Sequence, residues 1–311
     1  MRKIYYTLAI TTLAFTSCND LLDRMPDNRL VIDSPEKVQQ ALTNAYPQIG
    51  TTLISEFSSD NIDDIGADNI YSNFLTRETA YWQPILEYNN VDGLQNIWDY
   101  HYKAIGQANA ALDAIETTLH NDASLNPAKG EALVARAYAH FCLVNLFSQA
   151  YNPNTSSSDL GIPYITRPEE EMNPQRQRGT VAQVYQQIAA DLEKGLPLID
   201  DSYYQMPKYH FNKKAAYAFA ARFYLYYQQW QKALDAANVV LTTNDATTKN
   251  LVREWLDFRD AQKTGTRSIT AYAQAYARES EVANLMLQPV YSQLSTNYFI
   301  ETNQRFSHAY R

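Results

Sequence analysis

The fold of this chain is decided by the stretch AYAFAARFYLYYQQWQKALDAANVVL, which runs from Ala216 to Leu241. Asn212 is a residue type that caps helix N-termini, so it predicts a helix that begins there and ends near Gln228. A second helix is predicted to start at Trp230. The stretch therefore reads as two consecutive helices joined by a very short turn.

Within this stretch, small and aromatic residues alternate in a way that suits close helix packing. Alanines lie where the two helices would cross, an aromatic residue lies at the turn, and Lys232-Ala233-Leu234 and Ala237 follow. This arrangement is typical of a tetratricopeptide-like helical pair. Because such pairs bury their apolar faces only by stacking on neighbours, the stretch predicts an α-solenoid-like layer.

Three more helices are predicted upstream, at Asn96–Leu119, about Pro127–Phe147 and Val181–Gly195. The first has apolar residues three and four positions apart, which form one helical stripe: Trp98, Tyr102, Ile105, Ala108, Leu112, Ile115 and Leu119. Thr180 and Gln183 form a capping box before the third. The first two resemble a second, more degenerate tetratricopeptide-like pair.

The fold class that follows is mostly α, with tetratricopeptide-like pairs, irregular loops and a few short strands. Only 9 of the 311 residues are glycine, which disfavours folds that need many tight turns. Small residues at Ala132, Ala135, Ala139 and Cys142 predict a narrow helix face that a neighbouring backbone can approach closely. Cys142 itself is expected to be a small buried hydrophobe. Glu281–Tyr291 fits either a strand or a short helix.

The N-terminus has the pattern of an export signal. Arg2 and Lys3 precede an apolar run from Ile4 to Phe15, and small residues precede Cys18. This pattern predicts a signal peptide at residues 1–17, lipidation of Cys18, a tether at 18–33 and a helical domain at 34–311. The alternative is an ordinary secretory signal with an accidental cysteine. Under the first interpretation the chain touches the membrane only through its lipid anchor.

The charge composition excludes one class of binding partner. The chain has 26 basic and 34 acidic residues, a net charge of −8, and no basic stripe, so a nucleic-acid ligand is not expected. The N-terminal signal is too short to span a bilayer as a mature helix, and no later segment approaches 18 consecutive apolar residues.

Catalytic and metal-binding patterns were not found in the sequence. The five histidines lack metal-ligand spacing, and no nucleophile elbow or phosphate-binding loop is present. His140 is expected to be a core residue, while Asp63-Asp64 and Glu169–Glu171 read as solvated surface acids. No cofactor, no metal and no enzymatic activity are predicted.

The chain is rich in aromatic residues that could bind a ligand, with 24 Tyr, 11 Phe and 4 Trp. Flat rings stack on the C–H faces of sugars when they are exposed on polar loops. Those that follow helical stripes are expected to pack in the core: Trp98, Tyr102, Tyr138, Phe219, Phe223 and Tyr227. Others lie in the aperiodic polar stretch Asn61–Asn96, and Tyr203, Tyr204 and Tyr209 form a second, weaker cluster.

Five segments carry a family likeness through their order and spacing: Cys18–Asn28, Ser34–Ile49, Ile97–Ile115, Glu131–Ala150, and Gly179–Ile199 followed by Lys213–Leu241. Together they resemble the SusD/RagB family, the surface glycan-binding lipoproteins of Bacteroidetes. Asp20 and Asp23 also resemble the acidic export signal of such lipoproteins. Family members usually continue with a C-terminal region that Asn244–Arg311 does not match, which implies a truncated or a short, divergent member.

The resemblance implies a protein anchored in the outer membrane by lipid and exposed at the cell surface. It would capture oligosaccharide and deliver it to a SusC-like TonB-dependent transporter. The resemblance places ligand loops before the Trp98 helix, and the candidate ligand-binding residues there are Tyr71, Arg77, Tyr81, Trp82 and Asn89. A buried loop anchor is the alternative role for Trp82. A peptide- or protein-binding scaffold lipoprotein is the competing function, and a glycosidase accessory lipoprotein is a third.

Overall fold

The computed structural model describes residues 31–66, 74–86, 90–169, 176–241, 245–253 and 276–293, together with 256, 259–260, 264, 274 and 306–308. Residues Asp33–Arg311 form one compact unit. Its elements, in chain order, are α1 (Pro35–Thr43), α2 (Thr52–Phe57), β1 (Ile62–Asp64), α3 (Phe74–Ala80), α4 (Leu94–Asp113), α5 (Asn126–Phe147), α6 (Val181–Gly195), α7 (Lys213–Tyr226), α8 (Trp230–Val240), α9 (Asp245–Lys249) and β2 (Phe306–His308). The prediction of a mostly α fold is confirmed.

Local capping signals set the helix starts where the sequence predicts them. Thr180 and Gln183 form the expected capping box at α6, with the Thr180 side chain accepting a hydrogen bond from the Gln183 amide. The Asn212 side chain accepts from the Ala215 amide at 3.0 Å and so caps α7. At the other end of α7, Gln228 has φ +59° and turns the chain into α8, which begins at Trp230 as predicted.

The helices pack as neighbours along the chain, with α5 between α4 and α6 and with α7 against α8. Most of α5 is buried, including Ala132, Ala135 and Ala139 on the predicted narrow face. The aromatic residues of the helical stripes pack against other rings: the Trp98 ring lies 5.0 Å from that of Phe147, and Tyr138 lies 5.2 Å from Phe219. Burial raises the pKa of the half-buried Cys142 thiol to about 11.

A smaller hydrophobic cluster holds the N-terminal elements. Its members are Ile49, Leu53, Ile54, Phe57, Leu75 and Ile97, each at most 4% exposed. Because Leu75 belongs to α3 and Ile97 to the first turns of α4, this cluster fixes α3 beside the start of α4. The cluster thereby positions the polar stretch Asn61–Asn96, in which the sequence predicts ligand-binding residues.

The segment 281–291 is neither a strand nor a helix; it is a run of turns followed by irregular chain. It is held by backbone hydrogen bonds from Leu287 to Lys208 and from Tyr291 to Gln48, each 2.7 Å long. Its partners lie far away in sequence, which explains why no local periodicity describes it. The two short strands β1 and β2 pair antiparallel, with Ile62 opposite His308.

The predicted signal peptide at 1–17, the lipidation site Cys18 and most of the tether at 18–33 lie outside the described residues. In the part of the chain that is described, no helix is long and apolar enough to cross a membrane.

Candidate functional site

Helix α3 ends in a turn that gives Trp82 an unusual backbone conformation. The Trp82 amide donates to the Thr79 carbonyl at 3.1 Å, and the Gln83 amide donates to the Glu78 carbonyl at 2.8 Å. This pair of bonds is the Schellman motif, whose left-handed position is normally glycine. Trp82 occupies that position with φ +54°. For a residue with a Cβ this conformation costs about 1–2 kcal/mol.

Trp82 is also among the most exposed aromatic residues that the structure describes. Its exposed fraction is 79%, which rules out the alternative role as a buried loop anchor. A large ring held in water by a strained turn is unfavourable for the isolated chain, and strain of this kind concentrates at functional sites.

Phe74 and Arg77 lie three residues apart in α3, and Tyr81, four residues after Arg77, follows directly after the end of the helix. Phe74 is 61% and Tyr81 is 45% exposed. The Arg77 guanidinium lies 4.7 Å from the centroid of the Phe74 ring, a cation–π contact. These four residues, Phe74, Arg77, Tyr81 and Trp82, are called the aromatic surface below.

Asp64 connects the aromatic surface to the strand pair. The Tyr81 hydroxyl donates a hydrogen bond to Asp64 Oδ2, and Asp64 Oδ1 accepts another from the Gly66 amide at 3.0 Å. Asp64 is the last residue of β1 and pairs with Phe306 of β2. The sequence marked Asp63-Asp64 as solvated acids; Asp64 is exposed, but it also orients the Tyr81 ring.

Of the five predicted ligand residues, the structure places Arg77 in α3 and Tyr81 and Trp82 in the turn that follows it. Tyr71 and Asn89 lie outside the described residues. Phe74 was not picked out from the sequence, although its spacing of three from Arg77 would have indicated it. The stretch Asn61–Asn96 is less irregular than its pattern predicts, because it contains α3; the buried side of that short helix includes Thr76, Glu78 and Thr79, so no apolar stripe reveals it.

The second aromatic cluster, Tyr203, Tyr204 and Tyr209, includes a ring that is packed in the structure and is not exposed to a ligand. Tyr204 is only 9% exposed, its ring stacks on His210 at 4.2 Å, and its hydroxyl donates to the Pro127 carbonyl at 3.3 Å. Tyr209 is 44% exposed, and its ring is the more accessible one. These contacts assign Tyr204 to the packing between α5 and the loop before α7.

His140 is a core residue, as predicted. Its Nδ1–H donates to the Arg136 carbonyl at 2.9 Å, and its Nε2 accepts from the Ile165 amide at 3.0 Å. Burial lowers the pKa of His140 to about 3, so the ring is neutral and suited to accept that bond. No group of three metal-ligating side chains is found among the described residues.

Arg136 is the centre of a buried polar network. Its Nε and Nη2 donate to the two carboxylate oxygens of Asp191 at 2.7 and 2.6 Å. Its Nη1 donates to Asn109 Oδ1 and to the Thr166 carbonyl, and the Tyr164 hydroxyl donates to Asp191. The network therefore ties α4, α5 and α6 to the extended chain between them, and its donors and acceptors are used for structure.

The fold and this surface define a class of protein: a tetratricopeptide-like helical body that displays aromatic rings beside a polar loop. The family model described as SusD-like, starch-binding and associating with the outer membrane matches residues 20–225 of the chain. The chain belongs to this SusD-like family, as its sequence resemblance predicted.

Relatives extend the comparison across most of the chain. A SusD-like protein P2 of Formosa agariphila is 24% identical over 283 residues, which cover 85% of this chain and 51% of that protein. This chain thus spans about half the length of that relative. A SusD superfamily protein of Bacteroides thetaiotaomicron aligns with TM-score 0.57 and 24% identity, over 73% of this chain and 49% of that one. A laminarin binding SusD-like protein aligns with TM-score 0.52 and 20% identity, over 68% of this chain and 44% of that one. These two structures share the fold.

Proposed function

We propose that this chain is a non-catalytic, lipid-anchored protein of the cell surface that binds oligosaccharide through the aromatic surface. The observation that carries the proposal is Trp82: a ring 79% exposed, in a left-handed conformation that its own backbone disfavours. Flat exposed rings stack on the C–H faces of sugars, and membership of a family described as starch-binding supports a sugar as the ligand.

The neighbouring groups suit the remaining chemistry of a sugar. Arg77 offers N–H donors to ring hydroxyls while its guanidinium covers Phe74. The Tyr81 hydroxyl is bonded to Asp64, so the orientation of this ring does not depend on the ligand. Tyr71 and Asn89 are proposed to complete the site from the two flanking segments.

Delivery is the second part of the proposal. A protein anchored through a lipid on Cys18 would remain beside a SusC-like TonB-dependent transporter and release its oligosaccharide there. The family's association with the outer membrane supports that location. Replacement of Cys18 by Ala should release the protein from the membrane fraction; retention after a carbonate wash would contradict anchoring at this residue.

Trp82→Ala tests the binding surface. Loss of one stacking ring should weaken binding about tenfold, by analogy with base–aromatic stacking, while the urea midpoint of unfolding stays close to that of the wild type. The probes are a laminarin oligosaccharide and a starch oligosaccharide, measured by calorimetry. Trp230→Ala is the matched control, because Trp230 is 62% exposed on α8 and lies outside the aromatic surface.

The outcomes separate the competing functions. Loss of binding in Trp82→Ala but not in Trp230→Ala supports the proposal. Equal binding by wild type and Trp82→Ala would place the glycan elsewhere. Wild-type protein that binds neither oligosaccharide but retains defined peptides would favour the peptide-binding scaffold.

A further inference from the structure

Glu78 is a buried carboxylate that holds the loop after α3 by two separate bonds. Its backbone carbonyl accepts from the Gln83 amide at 2.8 Å and closes the turn. Its side-chain Oε2 accepts from the Leu86 amide, also at 2.8 Å. Glu78 is only 8% exposed, whereas Trp82 between these anchor points is 79% exposed. The Glu78 carboxylate is therefore buried where it bonds the loop, while the Trp82 ring is exposed to solvent.

The two bonds bracket the strained residue. The turn keeps Trp82 at φ +54°, and the bond to Leu86 fixes the chain four residues further on. Pro84, between them, restricts the backbone of Gln83 to extended conformations. A charged acceptor makes a stronger bond to a backbone amide than a neutral one. Without it, the loop would lose its anchor at Leu86, and only the backbone bonds of the turn would oppose relaxation of Trp82 to a favourable φ.

We infer that Glu78 is a positioning residue for the aromatic surface: it holds the Tyr81–Trp82 turn in its ring-out geometry through the Leu86 amide and does not itself touch the ligand. The inference about ligand affinity rests on the proposed function, but the geometry can be tested without any ligand. The conservative change Glu78→Gln keeps an oxygen acceptor at the same reach, whereas Glu78→Met keeps the length and removes the acceptor.

The ligand-free test uses fluorine NMR of the full chain labelled with 5-fluorotryptophan. The chain has four tryptophans, and the signal that disappears in Trp82→Phe is assigned to Trp82. Glu78→Met should shift or broaden the Trp82 fluorine signal and speed hydrogen exchange at the Leu86 amide about tenfold or more. Glu78→Gln should keep both close to the wild type. Glu116→Met is the matched control, because Glu116 is exposed on the short π-helix that continues α4. Unchanged exchange and an unchanged signal in Glu78→Met would overturn the inference.

Since removal of a buried acceptor can destabilise α3, Glu78→Asp provides a second variant. It keeps the charge but withdraws the carboxylate from the Leu86 amide by one methylene, so it should behave as Glu78→Met does. If Glu78→Asp retains the wild-type exchange rate at Leu86, the inference is wrong, whatever the stability of Glu78→Met.

The binding arm uses the laminarin and starch oligosaccharides named above. Affinity should fall about tenfold in Glu78→Met, as for loss of the stacking ring itself, and recover in Glu78→Gln. A wild-type chain that binds neither oligosaccharide would contradict the proposed function, while the exchange and fluorine results would still decide the role of Glu78. Wild-type affinity in Glu78→Met, together with a displaced Trp82 signal, would overturn the link from position to binding.

Discussion

Gly130 and Gly195 bring the backbones of α5 and α6 into direct contact. A Cβ added to Gly130 would lie 2.9 Å from the Gly195 carbonyl oxygen, and a Cβ added to Gly195 would lie 3.0 Å from the Gly130 carbonyl oxygen. Both distances are shorter than an ordinary carbon–oxygen contact, and both obstacles are backbone atoms that cannot rotate away. The crossing of these helices therefore requires glycine on each side.

Gly130→Ala should lower the free energy of unfolding by about 1–3 kcal/mol, because the methyl group forces the two helices apart. Gly106→Ala is the matched control: Gly106 lies within α4, and a Cβ there meets nothing within 4 Å. It should raise stability by about 0.5–1 kcal/mol through helix propensity. Urea unfolding of both variants measures the difference. A stable Gly130→Ala would show that the helices can separate without cost.

The helices themselves could be predicted from the sequence because their signals are local. Apolar spacing located α4 closely, repeated small residues indicated α5, and the Thr180 capping box located the start of α6. The contact between Gly130 and Gly195 was not predicted, because the spacing of small residues in α5 indicates its alanines. Those alanines are buried, but the partner of Gly130 is a glycine 65 positions away (195 − 130), and a single sequence does not pair such residues.

The buried pair of Arg136 and Asp191 gives a second prediction. Arg136→Met leaves the Asp191 carboxylate buried with a hydrogen bond from the Tyr164 hydroxyl but without its charged partner, so the free energy of unfolding should fall by about 3–5 kcal/mol. The double change Arg136→Met with Asp191→Leu should recover most of that loss, since neither charge is then buried. Denaturant unfolding of the single and double variants forms the cycle.

The exposed pair of Lys232 and Glu193 is the control for that cycle, with an N–O distance of 2.7 Å and side chains about half exposed. Lys232→Met should change stability by at most about 1 kcal/mol. An Arg136→Met variant as stable as Lys232→Met would mean that water reaches Asp191 and replaces its partner.

His140 predicts that acid destabilises the fold well above the pH at which carboxylates titrate. Burial lowers its folded-state pKa to about 3, whereas an unfolded histidine titrates near 6.5. Between these values the unfolded chain binds a proton that the folded chain does not, so stability falls as pH falls below about 6.5. Burial also lowers the pKa of His101, to about 4, in the same direction.

From pH 7 to pH 5, one such histidine should cost roughly 2 kcal/mol of unfolding free energy. His140→Leu removes this contribution, although it also loses the bond from the Ile165 amide. The relevant measurement is therefore the change in stability between the two pH values in each protein, not the stability itself. If His140→Leu loses as much stability as the wild type between pH 7 and pH 5, the ring is protonated in the folded chain.

The site was only partly accessible from the sequence, for physical reasons. Arg77, Tyr81 and Trp82 could be chosen because aromatic and polar residues cluster in a stretch without helical periodicity. The left-handed turn could not be predicted. Its left-handed position is normally glycine, which indicates such a turn in a sequence, but here it is Trp82. The bond from Tyr81 to Asp64 joins α3 to a strand whose partner lies near residue 307, and only the folded chain brings these together.

Trp82→Gly separates the strain of the turn from the function of the ring. Glycine adopts φ +54° without penalty, so this change should raise the free energy of unfolding by about 1 kcal/mol. Trp82→Val places a β-branched residue in the same conformation and should lower it by a similar amount. Both variants lack the stacking ring, so both should lose about tenfold in affinity for the oligosaccharide that the wild type binds. Equal loss of binding in two proteins with opposite changes in stability would assign the ring to ligand contact. Full binding by Trp82→Gly would instead show that the ring contributes nothing to the site.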